Sequence, residues 1–302
     1  MNIISVIIPT YKRSVRLPLA INSVLNQTYT PIEIIVVDDN HNDDYKIETR
    51  KILEPYIAEN KIIYISHNSN QGGCVARNTG AFAAKGDYIA FLDDDDFYEP
   101  TKLEEQIIFL NQNISLDACM CSMFRIDENN QQIVSRENIA RGETLKETIK
   151  DGNLFTSMLL IKKEVFIKLK GFSDIPRFQD KYFHLKFLDK GYKIGVLDKQ
   201  LLTLVEHKEY RISSASANKV ILSLNKIHEF VKNKKNLFTK NEWKNIKFEY
   251  LYAKIFTRTQ GNLNDRFKSI YNTLQAILFT NNYLVLIKLI LRALLPKYLF
   301  KQ

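Results

Sequence analysis

The amino-acid sequence predicts an α/β fold: a mixed, mostly parallel sheet flanked by helices, followed by a mostly helical C-terminal region. Three observations carry this expectation. Short apolar runs rich in Ile, Val and Phe alternate with stretches of helical periodicity, as in sheets whose parallel strands are joined by crossover helices. Two of the runs end abruptly in carboxylates, Asp38-Asp39 and Asp93-Asp94-Asp95-Asp96, and the carboxyl ends of parallel strands are where ligands gather. The charge is also partitioned. Residues 1–207 carry 25 Lys and Arg against 29 Asp and Glu, residues 208–302 carry 18 against 5, so the overall +9 conceals −4 followed by +13. We therefore expect an α/β domain over residues 1–212 and a basic helical region over 213–302.

Taken in order, a strand from Ile3 to Ile8 runs into Pro9-Thr10-Tyr11-Lys12-Arg13. A helix follows from Leu17 to Leu25, where Leu17, Ile21, Val24 and Leu25 share one face. Strands are expected over Ile32–Val37 and Ile62–Ile65. The segment from Gly73 to Ala84 repeats small residues, which lets a helix lie close against a sheet. Next come a strand from Tyr88 to Leu92, a turn at Tyr98-Glu99-Pro100, a helix over Lys102–Leu110 and a strand over Ala118–Ile126. A helix–strand region spans Leu145–Lys170, a helix covers Tyr182–Leu188, a short strand Ile194–Leu197, and a last apolar run, Leu201–Val205, ends at Glu206-His207.

Composition narrows the classes. At 302 residues with 45% hydrophobic and 25% charged side chains, the chain can bury a large core. Cys74, Cys119 and Cys121 are too few and too badly spaced for a disulfide framework or a zinc ribbon, so reduced thiols in a cytoplasmic compartment are expected. No secretory leader is evident at the N-terminus. The apolar run Tyr283–Leu295 is well short of the roughly 20 residues that span a bilayer. With Lys288, Arg292 and Lys297 it suits a membrane interface, and equally a helix packed on the domain or in a dimer.

The chemistry concentrates at the carboxylates. Four adjacent Asp side chains raise one another's pKa unless a cation sits among them, so Asp93–Asp96 reads as a metal site, with a solvated acidic turn as the alternative. Asp180 stands where it can cap a helix, and a lone His207 at a strand end is a ligand only if that end points at the aspartates. Gly72-Gly73 could cradle a phosphate, yet neither the Walker A pattern nor GxGxxG is present, which argues against a P-loop NTPase or a Rossmann dehydrogenase.

Ordered motifs over about the first 210 residues resemble those of the inverting glycosyltransferases of family 2, which have the GT-A fold, a Rossmann-like nucleotide-diphospho-sugar transferase architecture. They are Ser5-Val6-Ile7-Ile8-Pro9-Thr10-Tyr11, Ile34-Ile35-Val36-Val37-Asp38-Asp39, Ala76-Arg77-Asn78-Thr79-Gly80 and Phe91-Leu92-Asp93-Asp94-Asp95-Asp96. The resemblance implies a UDP-sugar donor bound by Thr10, Tyr11, Arg13, Asp39, Arg77, Asp93 and Asp94. It implies Mn²⁺ or Mg²⁺ on Asp95, with Asp93 at the ribose or a metal-bound water and His207 as a further ligand. Asp180 matches the family's catalytic base, although the position before it, often Glu, is Gln179 here. The implied acceptor is a glycan or a lipid-linked sugar of a bacterial cell envelope, and the basic tail suggests an anionic membrane surface as partner. No nucleic acid is expected, and a homo-oligomer stays open. Two other readings remain at this stage. One is a haloacid-dehalogenase-like phosphatase using Asp93, against which Phe97 stands where Thr or Val is preferred; the other is a nucleic-acid-binding module using the tail.

Overall fold

The computed structural model describes residues 2–41, 44–207, 216–259 and 263–280, with a few further positions between 284 and 291. Most of the run Tyr283–Leu295, including Lys288 and Arg292, lies outside the described residues, as does Lys297. The chain divides into two compact units. One comprises Met1–Asp174 and Gln179–Lys208, the other Ile175–Phe178 and Glu209–Gln302.

In the first unit, β1 (Ile4–Thr10), α1 (Leu17–Leu25), β2 (Ile32–Asp38), α2 (Asp44–Ala58), β3 (Ile63–Ser66), α3 (Gly73–Ala83) and β4 (Tyr88–Phe91) form a parallel strand–helix alternation. Then come β5 (Phe97–Tyr98), α4 (Lys102–Gln112), β6 (Ala118–Ile126), α5 (Leu145–Asp151), β7 (Leu159–Lys162), α6 (Lys163–Lys168), α7 (Gln179–Asp189) and β8 (Ile194–Val205). The eight strands lie in the order β3-β2-β1-β4-β7-β6-β8-β5. β7 is antiparallel to both β4 and β6, so β4 and β6 point the same way, and β8 runs parallel to β6. The carboxyl ends of β1, β2, β4 and β8 therefore share one edge of the sheet. Val6, Ile7 and Ile8 of β1, Ile35 to Val37 of β2 and Ile89 to Phe91 of β4 are fully buried, the apolar run expected of strands covered on both faces.

Three elements differ from the sequence expectation. α2 goes unread because it buries only Thr49 and Leu53 and so shows almost no apolar periodicity. The predicted turn at Tyr98 begins one residue later: Phe97 and Tyr98 form β5, antiparallel to Thr203 and Leu202 of β8. The runs Ile194–Leu197 and Leu201–Val205 are one strand, interrupted by exposed Asp198 and Lys199 at shifts of register against β6 that mark a bulge.

Close packing fixes where α3 lies. A Cβ on Gly80 would fall 2.5 Å from Ile7 Cγ2 and 3.0 Å from Val37 Cγ2, so the helix rests directly on β1 and β2. Its Asn78 also holds the segment leading to α7. Asn78 Oδ1 accepts from Phe172 N–H at 2.8 Å and Nδ2 donates to Phe172 O at 2.8 Å, a reciprocal pair that satisfies both backbone groups. Gly171, at φ 64°, leaves room for it, since a Cβ there would meet Asn78 Oδ1 at 2.3 Å. The Phe172 ring packs edge-on against Phe91 at 5.2 Å and tilts against Phe183 at 4.9 Å, which ties the end of β4 to α7. Cys119 and Cys121 are buried in the core, where burial pushes both thiols up and keeps them unreactive.

The second unit contains α8 (Ala217–Lys232), α9 (Lys240–Thr259) and α10 (Leu263–Ala276), with α9 and α10 meeting at Leu251, Ile255 and Ala276.

Two substitutions test these contacts. Gly80→Val forces α3 off the sheet and should cost about 1–3 kcal/mol in denaturant unfolding; an unchanged midpoint contradicts the packing. Asn78→Ala strands the amide and carbonyl of Phe172, a loss of about 1–3 kcal/mol by the same measurement.

Candidate active site

The edge shared by the strand ends gathers most of the residues singled out from sequence. Thr10 closes β1 and is buried, and its carbonyl accepts from Asp39 N–H at 2.9 Å. Beyond it Lys12 takes the left-handed conformation (φ 57°) and donates its N–H to Asn40 Oδ1 at 2.8 Å, linking the loops after β1 and β2. Tyr11 is half-buried beside the Lys12 ammonium.

The turn after β4 is buried, which corrects the solvated alternative: Asp94, Asp95 and Asp96 are 1%, 7% and 4% exposed, and only Asp93 keeps substantial access to solvent. Each carboxylate is met by a cation or a backbone donor, and Arg13 serves two of them. Arg13 Nη2 lies 2.8 Å from Asp94 Oδ1 and its Nη1 bonds Asp95 Oδ2. Asp93 Oδ1 accepts from Arg77 Nη2 at 2.5 Å. Asp96 Oδ1 accepts from Val205 N–H at 3.1 Å. This last bond, with the pairing of β5 to β8, sets the end of β8 against the turn and carries His207 in. His207 Nε2 lies 2.5 Å from Asp95 Oδ2, so the strand end does point at the aspartates. Burial is the largest influence on Asp94 and pushes its carboxyl up to about 7; Arg13 opposes that shift and Asp95 adds to it.

Arg77 projects from α3 and is almost fully buried. Beyond the bond to Asp93, its Nε and Nη1 groups are buried without a hydrogen-bond partner. Asp180 lies in the first turn of α7, inside the helix rather than ahead of it, and accepts from Lys181 N–H at 2.7 Å. It is partly exposed, yet burial raises its carboxyl above the ordinary range, and Asp93 adds to the rise while Lys181 N–H and Arg77 oppose it. Asp180 thus lies within electrostatic reach of both Arg77 and Asp93.

Asp39 is engaged within the chain. Oδ1 accepts from Gln71 N–H (2.8 Å) and faces His67 Nδ1 (2.7 Å); Oδ2 accepts from Gly72 N–H (2.8 Å) and Asn70 Nδ2 (3.0 Å). It shapes the loop that enters α3 through Gly72 at φ 88°. Sequence reasoning missed His67, which bridges Asp39 and Thr79 Oγ1 (3.0 Å), and the bracing role of Asn78. The position of His67 directly after β3, on the same edge, was the available signal.

The donor set suits a divalent cation. Carboxylate oxygens are ligands for Mn²⁺ or Mg²⁺, and Asp95 Oδ2 and His207 Nε2 converge; Arg13 Nη1 bonds the same Asp95 oxygen and would give way to an ion placed on it. Among the described residues no group of three His, Cys, Asp or Glu is assembled at metal-binding distances, so diphosphate oxygens or water have to complete any coordination shell.

Comparisons with known proteins identify the family. The sequence model described as "Glycosyl transferase family 2" matches residues 5–170. An uncharacterized glycosyltransferase of Methanocaldococcus jannaschii is 28% identical over 249 residues, 81% of each chain. The poly(ribitol-phosphate) beta-N-acetylglucosaminyltransferase TarP of Staphylococcus aureus is 29% identical over 246 residues, 76% of this chain and 72% of TarP. Among solved structures, S. aureus TarS superposes with a TM-score of 0.66 at 20% identity over 97% of this chain, which spans about half (51%) of the TarS chain. A shorter TarS in complex with UDP-GlcNAc superposes with a TM-score of 0.60 at 20% identity, covering 90% of this chain and 89% of that one. These likenesses establish the GT-A fold. With the family model matched over more than half its length, the chain belongs to glycosyl transferase family 2.

Proposed function

We propose that this protein transfers a sugar from a UDP-sugar donor to a hydroxyl of a glycan or lipid-linked acceptor, with inversion at the anomeric carbon, at the cytoplasmic side of a bacterial envelope. The observation that carries the reading is the meeting at one sheet edge of the buried acidic turn, Arg77 with two unpartnered donors, and Asp180 within electrostatic reach of both. The names of TarP, an N-acetylglucosaminyltransferase, and of the TarS complex with UDP-GlcNAc support a UDP-linked donor carrying a hexose or an N-acetylhexosamine.

Thr10, Tyr11 and Arg77 line the uridine end, and Asp39 shapes it through the loop it anchors. Asp93, Asp95 and His207 would hold Mn²⁺ or Mg²⁺, which neutralises the diphosphate as it leaves. Arg13 and Asp94 balance charge beneath it. Asp180 accepts the proton of the acceptor hydroxyl as that oxygen bonds to the anomeric carbon, and the bond from that carbon to the phosphate oxygen breaks, releasing UDP. A single displacement inverts the centre and needs no second, nucleophilic carboxylate.

Asp180→Asn should keep UDP-sugar binding by calorimetry and lose transfer by ~10²–10⁴-fold; unimpaired turnover removes Asp180 from the role. Because burial raises its carboxyl, the ionised base is lost as pH falls through that raised value. The acid limb of kcat/KM should then lie above the ordinary aspartate range and vanish in the residual activity of the variant. His207→Ala should raise the Mn²⁺ concentration needed for half-maximal thermal stabilisation by ~10-fold or more, while metal-free binding of UDP stays unchanged. An unaltered Mn²⁺ titration excludes His207 as a ligand.

A further inference from the structure

Helix α10 is built inside out. Its buried face is small and polar: Asp265, Ser269, Asn272, Thr273 and Ala276 recur at helical spacing and are at most 9% exposed. Ser269 Oγ donates to Arg266 O at 2.6 Å and Thr273 Oγ1 to Ser269 O at 2.9 Å, so both hydroxyls are satisfied within their own helix. The large apolar side chains lie on the opposite side. Phe267, Tyr271 and Leu274 are 67%, 63% and 56% exposed, and Leu278, one turn on, is 72% exposed. These four are spaced by four, three and four residues and form one continuous stripe. A helix that meets water places its apolar stripe against the core; small residues inside with bulky apolar residues outside is the packing of a helix whose outer face meets hydrocarbon.

The charge around the stripe selects the occupant. Residues 216–280 carry 12 Lys and Arg against 4 Asp and Glu, one of the four being the buried Asp265. Arg266 and the exposed Lys268 flank Phe267 directly. A second copy of so basic a unit would bring like charges together, and a soluble polyanion would use the lysines but leave the stripe in water. A surface with phosphate headgroups above hydrocarbon satisfies both features. Among the described residues no helix is long and apolar enough to cross a membrane, so α10 would lie in the plane of the interface.

We propose that α10 is a membrane-contact helix: Phe267, Tyr271, Leu274 and Leu278 enter the interface of an anionic bilayer while Arg266 and Lys268 meet its phosphates. The inference stands on the C-terminal unit alone and assumes nothing about donor or base.

The test is cosedimentation of the full chain, without metal or nucleotide, with phosphatidylcholine vesicles that contain or lack about one-third phosphatidylglycerol. The full chain should pellet with the anionic vesicles and stay in solution with the neutral ones, and added salt should weaken the binding. The double variant Phe267→Gln/Leu274→Gln, checked for native circular dichroism and UDP binding, should bind at least ~10-fold more weakly, since two exposed apolar side chains no longer leave water. The proposal is overturned if anionic vesicles bind no protein, if neutral vesicles bind as well, or if the double variant binds as tightly as the parent. It is equally overturned if light scattering shows an oligomer that the double variant dissolves while vesicles are ignored, because a second copy then covers the stripe.

Discussion

The neutralisation of the acidic turn is the constraint on which the rest of the catalytic unit depends. Three of the four consecutive carboxylates are almost wholly buried, and charges so placed are tolerated only where cations or donors meet them. The fold brings partners to them from distant parts of the chain: Arg13 from the loop after β1 to Asp94 and Asp95, Arg77 from α3 to Asp93, and Val205 with His207 from the end of β8. Strand order, loop conformation and helix placement can all be read as the means by which those groups arrive. Arg13, touching two of the carboxylates, is the counter-charge built into the chain itself.

Around that centre, the site rests on braces that never reach the cleft. Asn78 grips the backbone of Phe172, whose ring lies between Phe91 and Phe183. The end of β4 and the first turns of α7 are thereby held by one cluster of aromatic rings, so the relation of Asp180 to the acidic turn is a matter of core packing as much as of loop conformation. Asp39 does the same for the entrance to α3. Its carboxylate, predicted from resemblance to face the donor, here spends all four of its contacts on the loop from His67 to Gly72.

Much of this was legible in the sequence. Buried parallel strands announce themselves as unbroken apolar runs, and the carboxylates that follow β2 and β4 pointed to the edge where the strand ends and their polar residues meet. Family membership, which replaces the phosphatase reading, was visible in the order of four motifs. What stayed hidden has physical reasons. α2 is nearly all surface and carries no periodic signal. β5 is two residues long, too short to show alternation, and the bulge at Asp198-Lys199 made one strand look like two. Pairings such as Arg13 with Asp94 or Asn78 with Phe172 span 81 and 94 positions and leave no local trace. The inverted polarity of α10 was equally invisible, since a pattern of apolar and polar residues does not say which face looks inward.

The mutual neutralisation of Arg13 and the aspartates also bears on how such a site can change over generations. A buried carboxylate at position 94 without the guanidinium, or the guanidinium without its carboxylates, leaves an uncompensated charge in the interior, so the effect of either replacement depends on the state of the other. Replacements at positions 13 and 94 are therefore coupled, and Asp95, which shares the same guanidinium, is coupled to both. Asp96, by contrast, meets a backbone amide of β8, which any non-proline residue at position 205 supplies. Within one run of four identical residues, the second is therefore bound to a particular distant side chain while the fourth meets the main chain of a distant strand.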